Sequence, residues 1–267
     1  MKVLITGSEG FVGKNMAAFL GRQPDWTVVG WDWDPEAWPD VTPFDWCIHL
    51  GASYSTDIET VMHQNLEFSQ WLFDECQHNG VNLQYASTSS VYGDTKDFSE
   101  YSPCNPLTPY AQSKLMFDQW VFKQPQHIFV QGFRYFELYG KWEHLKGGNA
   151  NDLHRWREQA RKQGYIEVWD GAEDIYRDYT FVGDICSLHL DFINTVKGSG
   201  IWNAGSGLQH SMLSIAEEIA EQEGVEIRTI LRPSTVIPRI RADLSHLKET
   251  VGKRKWLNVY EWLDLEA

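Results

Sequence analysis

Apolar positions along this chain follow two alternating rhythms. Short continuous runs at residues 2–6, 27–31, 47–52 and 81–86 have the length of strands buried on both faces. Longer stretches at 15–20, 57–77, 109–122 and 211–221 carry apolar residues at helical spacing. Further strands are predicted at 127–134, 166–169 and 226–231, with a basic helix after Asn151 that carries Arg155, Arg157, Arg161 and Lys162. Strand and helix alternate as βαβ units, which predicts an α/β fold: a doubly wound parallel sheet with a smaller C-terminal lobe. The expected division is residues 1–140 with a returning segment near 181–204 for the sheet domain, and 141–180 with 205–267 for the lobe. Helices 57–77 and 109–122 are apolar on more than one side, through Ile58, Val61, Met62, Leu66, Trp71 and Leu72, then Leu115, Met116, Phe117, Trp120 and Val121. Such helices are either sandwiched inside a fold or paired with a second copy, and a homodimer is the expectation.

The first strand runs straight into Gly7-Ser-Glu-Gly10-Phe-Val-Gly13, and that loop opens a helix. Glycines there permit a tight turn and let a pyrophosphate approach the helix N-terminus, whose free N–H groups and dipole favour an anion. The second strand ends at Asp32, about twenty residues past the glycines, where a carboxylate accepts both hydroxyls of an adenosine ribose. The third ends in the small residues of Leu50-Gly51-Ala52, as expected where backbone passes close to a cofactor. A ribose 2′-phosphate would sit against Asp32 and Asp34 with no cation nearby in sequence, so NAD is predicted as the cofactor and NADP is disfavoured. Trp31, Trp33 and Trp38 are open to either adenine contact or plain packing. His49 is a poor candidate for a base.

Tyr110 and Lys114 stand four apart behind Pro109, a residue suited to the first helical position, so both face one way. An isolated pair of this kind is usually a lysine stem lying on a ring. Beside a nucleotide fingerprint it reads as a base with its cation. Ionising a tyrosine at neutral pH requires a shift of roughly 3 units, or about 4 kcal/mol. One ammonium at ~5–6 Å in an effective dielectric of ~20 supplies about 3 kcal/mol, leaving the remainder to an oxidised nicotinamide.

Composition narrows the partners. The 267 residues are 42% hydrophobic, enough for a full core, and contain neither a membrane-length apolar run nor a leader-like start. Cys47, Cys76, Cys104 and Cys186 lie far apart with no CxxC, as expected of reduced thiols in a cytoplasmic protein with no metal site. The net charge of −14 is unevenly spread: residues 23–95 hold twelve carboxylates and no Lys or Arg, whereas twenty of the twenty-three cations lie at or after Lys96. Nucleic acid is therefore a poor partner. Side-chain contacts to phosphate are expected from the second half.

The glycine loop, Ser87-Thr88, Tyr110/Lys114 and the run Arg177-Asp-Tyr-Thr-Phe-Val-Gly-Asp184 together resemble the extended short-chain dehydrogenase/reductase superfamily, in its nucleotide-sugar epimerase/dehydratase branch. The resemblance runs from Met1 to about Leu247. Three segments look most like ADP-glyceromanno-heptose 6-epimerases: Gly51-Ala-Ser-Tyr-Ser-Thr, Gly132-Phe-Arg-Tyr-Phe-Glu-Leu-Tyr-Gly140, and the loop with Lys146 ahead of Gly147-Gly148. The resemblance implies Tyr110 as base, Lys114 holding the nicotinamide ribose and depressing the Tyr110 pKa, Thr88 bonding the reacting oxygen, and Lys146 as a second acid/base. It also implies Glu9, Phe11, Val12, Leu50, Gly51, Ala52, Ala86 and Ser87 around the cofactor. Ser53, Thr88, Glu137, Lys146, Arg177 and Arg241 would then surround a nucleotide-diphosphate sugar, with Arg177 and Arg241 as diphosphate clamps.

Four departures stand out. Glu137 replaces the Asn of relatives, and its carboxylate would repel a diphosphate unless Lys141 neutralises it. The stretch between Asp32 and Cys47 is too short for the usual strand and helix, and the chain after Leu247 is also short. Ser89-Ser90 stands where 4,6-dehydratases carry Asp-Glu, which argues against elimination. Besides epimerisation like that of the ADP-heptose enzymes, a UDP-hexose 4-epimerase, a sugar reductase or dehydratase, and a non-catalytic NAD-binding protein are the alternatives.

Titration of tryptophan fluorescence is expected to give an NAD dissociation constant about tenfold or more below that of NADP, the size of a ~1.4 kcal/mol charge repulsion. Tighter binding of NADP would overturn the reading of Asp32 and Asp34.

Overall fold

A computed structural model describes residues 1–266. The chain opens β1 (Lys2–Thr6), α1 (Phe11–Leu20), β2 (Thr27–Trp31) and β3 (Trp46–His49). It continues through α2 (Ile58–Met62), a π-helical turn (His63–Glu67), α3 (Phe68–Asn79), β4 (Asn82–Thr88), α4 (Pro109–Val121) and β5 (Val130–Tyr135). After β6 (Glu137–Tyr139), α5 (Asp152–Gln163) and β7 (Tyr165–Trp169) come β8 (Tyr176–Arg177), β9 (Tyr179–Phe181), α6 (Val182–Thr195) and β10 (Gly200–Ala204). β11 (His210–Ser211), α7 (Met212–Glu223), β12 (Glu226–Ile230), α8 (Ser245–Val251) and α9 (Val259–Glu266) complete it.

Six strands form one parallel sheet in the order β10-β5-β4-β3-β1-β2. The predicted doubly wound α/β class is what forms. Side chains alternate across β1, so Val3 and Ile5 pack with Met16 and Leu20 of α1 and Ile193 of α6, whereas Leu4 packs on the other face with Phe68 and Leu72 of α3 and Phe117 of α4. Helices thus cover both faces, and the central strands read as unbroken apolar runs. A second core joins α5, β7, α7 and α9 through Trp156, Ile166, Ile215, Ile219 and Leu263.

Two local expectations are corrected. The helix predicted at 57–77 is interrupted by the π turn, because Asn65, fully buried, turns its amide away from the helix. Its Oδ1 accepts from Ser53 N at 2.6 Å, and its Nδ2 donates to Ser53 O at 2.9 Å and Ser113 Oγ at 3.1 Å. Helix α1 begins at Phe11, four residues before the predicted 15, since its first turn belongs to the glycine loop. Residues 32–45 form neither strand nor helix, as their number predicts. Aromatic rings fill the space instead: Trp31 stacks on Phe68 at 5.1 Å, and Trp38 meets Trp71 edge-on at 4.7 Å.

Under the carboxyl ends of β4 and β5 lies the buried carboxylate of Asp118, on α4. It accepts from Tyr85 Oη at 3.0 Å, Ser87 Oγ at 2.9 Å and Arg134 Nε at 3.1 Å. Burial pushes its pKa up against the pull of the Arg134 guanidinium and those hydrogen bonds. Asp118→Asn would leave Arg134, 5% exposed, without its counter-charge. Denaturant unfolding is expected to show a loss of roughly 3–5 kcal/mol, and a loss below 1 kcal/mol would remove this pair from the list of structural constraints.

Candidate active site

The glycine loop is built by close approach of backbones. Gly7 has φ +73°, and a Cβ there would lie 2.5 Å from the Cα of Gly51, at the end of β3. A Cβ on Gly13 would lie 2.0 Å from Gly7 O. Only hydrogens fit at either position. Gly10 caps α1 without any side-chain bond, so the N–H groups of the first turn remain free for an anion. At the end of β2, Asp32 faces the same loop, its Oδ2 accepting from Ser8 Oγ at 2.6 Å and from Glu9 N at 3.0 Å. A backbone cradle for a pyrophosphate with a carboxylate one strand away fits a dinucleotide.

This loop opens into a cavity of about 320 Å³. Gly7, Gly10, Phe11, Val12, Gly13 and Asp32 line one end, with Trp31 and Trp33 beside them, while Leu50, Gly51, Ala52 and Ala86 line its floor. Tyr110, Lys114 and Lys146 line the same cavity, with Lys146 on the side of Phe11. Helix α4 presents the first two as its cap dictates: Thr108 Oγ1 accepts from Ala111 N at 3.1 Å, and Pro109 occupies the first turn. Lys114 is 3% exposed, and burial lowers its pKa to about 8 against the field of Asp118 one turn on. His49 is equally buried, bonded to Thr6 Oγ1 at 2.6 Å and Ser69 Oγ at 2.8 Å, and burial with the nearby Lys114 lowers it to about 3. It stays neutral and serves as packing.

Tyr110 corrects the sequence reading. Its pKa is raised well above the ordinary phenol value, first by burial and then by the neighbouring Tyr54, while a hydrogen bond to Thr88 works the other way. In the protein alone the low-dielectric surroundings oppose the phenolate. Tyr54 itself, unassigned from sequence, stacks on the Tyr110 ring with centroids 4.2 Å apart and its Oη 3.1 Å from that of Tyr110. Its position in the Gly51-Ala-Ser-Tyr segment was visible, but nothing local shows that this loop folds over α4.

Lys146 sits on a short 3₁₀ stretch (Glu143–Asn149) and reaches the cavity from the side of the glycine loop, its ammonium 4.8 Å above the Phe11 ring. It donates to Leu138 O and to Glu143 Oε1, both at 3.0 Å. Glu143 is 3% exposed and also accepts from Asn151 N at 2.9 Å, so the loop bearing Lys146 is pinned from within.

The remaining expected substrate residues are not gathered around this cavity. Arg177 is buried and gives its guanidinium to the carbonyls of Tyr176 and Pro238, at 2.9 and 3.5 Å. Arg241 donates to Gly207 O at 3.0 Å and lines a separate, larger cavity of about 1150 Å³. Ser53 is held by Asn65, and Thr88 Oγ1 accepts from Ser90 N at 3.2 Å while also meeting Tyr110. Burial raises the pKa of Glu137 against the opposing charges of Lys146 and Arg177, with Lys141 not among them. Lys141 lies 4.6 Å over the Trp142 ring instead. Ser87 gives its hydroxyl to Asp118, behind the cofactor floor.

A family model described as the NAD dependent epimerase/dehydratase family matches residues 3–205. The chain belongs to that family. A curated ADP-L-glycero-D-manno-heptose-6-epimerase of Alkalilimnicola ehrlichii is 31% identical over 92% of this chain and 90% of its own length. Among solved structures, the Helicobacter pylori ADP-L-glycero-D-manno-heptose-6-epimerase superposes with a TM-score of 0.88 at 21% identity, covering 98% of this chain and 94% of that one. The Thermotoga maritima UDP-glucose 4-epimerase, solved with UDP-glucose, gives 0.87 at 18% identity, covering 99% and 97%. These two likenesses establish the fold. Membership in the family makes this an NAD-dependent epimerase/dehydratase.

Gly13→Ala is expected to weaken NAD binding about tenfold or more by calorimetry while leaving the far-ultraviolet circular dichroism unchanged. Unaltered affinity would show that the pyrophosphate does not lie on this loop.

Proposed function

We propose that this chain epimerises a nucleotide-diphosphate sugar, with a chemistry like that of the ADP-heptose 6-epimerases it resembles. The observation that supports the reading is the single cavity lined by Tyr110, Lys114 and Lys146 together with the glycine loop. Two proton-handling groups on separate elements suit a reaction that oxidises a carbinol and then rebuilds it from the opposite face.

NAD, when bound, supplies the hydride acceptor and later the donor. Tyr110 takes the proton of the sugar hydroxyl, and Thr88 holds the same oxygen in line. Lys114 binds the nicotinamide ribose through its ammonium and lends Tyr110 a positive field. The burial that opposes a phenolate here is offset when a second positive charge enters beside Lys114. The resulting keto-sugar turns its other face, and Lys146 handles the proton on that side, its ammonium charge supported by Glu143. Net redox change is zero. Arg177 and Arg241 would hold the diphosphate only after exchanging their present carbonyl partners for phosphate oxygens.

Tyr110→Phe is expected to lower turnover roughly 10²–10⁴-fold while leaving NAD affinity within about twofold. Product stereochemistry with ADP-heptose and UDP-hexoses identifies the sugar, with no NADH accumulating. Full activity in Lys146→Ala would move the reading to a UDP-hexose 4-epimerase, and stoichiometric NADH would move it to a net oxidoreductase.

A further inference from the structure

Tyr54 stands on the stretch between β3 and α2, which has no regular structure, and 55% of it is exposed. Its backbone is nonetheless anchored on both sides. Ser53 N and O are held by Asn65, Ser55 N donates to Ser53 Oγ at 3.3 Å, and Asp57 N donates to Ser55 Oγ at 3.0 Å. The segment is fixed, and the freedom left to it is rotation of an exposed phenol, a fast motion with a tip that water solvates readily.

That phenol lies in the cavity shared by Tyr110, Lys114 and Lys146, its ring parallel to Tyr110 within 26° and its oxygen within hydrogen-bond distance of the Tyr110 oxygen. A tyrosine oxygen has one proton and two lone pairs. Tyr54 donates to it from the loop at 3.1 Å, and Thr88 from β4 and Tyr135 from β5 lie close enough to influence it. A hydroxyl that is to pass its proton to Tyr110 needs one of these places, and the one Tyr54 holds opens to the cavity.

We propose that Tyr54 is a positioning residue whose phenol occupies the place at Tyr110 Oη that the reacting sugar hydroxyl takes, so that sugar entry turns Tyr54 away. This rests on the reading of Tyr110 as the base for a nucleotide-diphosphate sugar. Tyr54 then acts as a selectivity filter. A ligand must carry a hydroxyl at the reacting carbon to replace the bond it breaks, and a deoxy analogue leaves Tyr110 in the hands of Tyr54.

The test is a double-mutant cycle of sugar affinity in NAD-loaded protein, by calorimetry with the sugar nucleotide that the turnover screen identifies. Tyr54→Phe keeps the stack and removes the competing hydroxyl. It is expected to tighten sugar binding roughly 2- to 12-fold, the net worth of one hydrogen bond, and to lower KM correspondingly without raising kcat. In the Tyr110→Phe background the same substitution is expected to change nothing, because no bond remains to compete for. Weaker binding by Tyr54→Phe would overturn the proposal, since Tyr54 would then hold the sugar itself. Equal tightening in both backgrounds would overturn it too. Binding of no nucleotide-diphosphate sugar by any of the four proteins overturns the functional reading along with it, whereas sugar binding indifferent to Tyr54 overturns this proposal alone.

Discussion

The buried carboxylate of Asp118 is the constraint on which the site depends. One turn beyond Lys114, it receives Tyr85 and Ser87 from β4 and Arg134 from β5, so a single group ties α4 to two central strands. A charge so deeply placed is tolerated only because every neighbour donates to it. Rotation or sliding of α4 would strand Asp118 and Arg134 together, and this fixes the helix in register. Tyr110 and Lys114 inherit that precision. The field of Asp118 also keeps Lys114 from losing more of its basicity to burial than it does.

At the glycine loop the exposed polar groups are backbone rather than side chain. The molecule carries a net charge of −14, with no Lys or Arg in residues 23–95, yet the loop from Gly7 to Gly13 leaves the N–H groups of a helix N-terminus free, a setting that favours an anion. Global repulsion is screened beyond about 8–10 Å at ordinary salt, whereas these dipoles act at contact. An excess of carboxylates is therefore compatible with an anion at this loop. The shortened stretch between β2 and β3 works on the same principle of local substitution. With no further strand beyond the edge strand β2, a cluster of tryptophans packs around Phe68 of α3 and adds Trp31 and Trp33 to the cavity wall.

The two groups suited to proton transfer meet their surroundings differently. Tyr110 is desolvated and shared between Thr88 and Tyr54, so the protein alone holds it as a phenol, and its basic form depends on charge brought in by ligands. Lys146 is paired with Glu143 and anchored to Leu138 O, both at 3.0 Å.

Local pattern alone determined the sheet class, the glycine loop, Asp32, and the Tyr110–Lys114 pair with its cap, because each rests on contacts between residues a few positions apart: runs, turns and helical spacing. The family resemblance brought in Lys146, which does line the cavity. Tertiary structure decided the rest. Asn65 broke a helix to hold Ser53 and Ser113, residues twelve and forty-eight positions away. Arg177 and Arg241 turned to backbone carbonyls instead of the cavity, and the charges opposing the upward shift of Glu137 are Lys146 and Arg177 rather than Lys141 four residues on. The direction of the Tyr110 shift reversed for the same reason. Sequence spacing counts the nearby cation, but the cost of removing a charge from water is set by everything that packs around it, including a tyrosine fifty-six residues away that no periodicity connects to the helix.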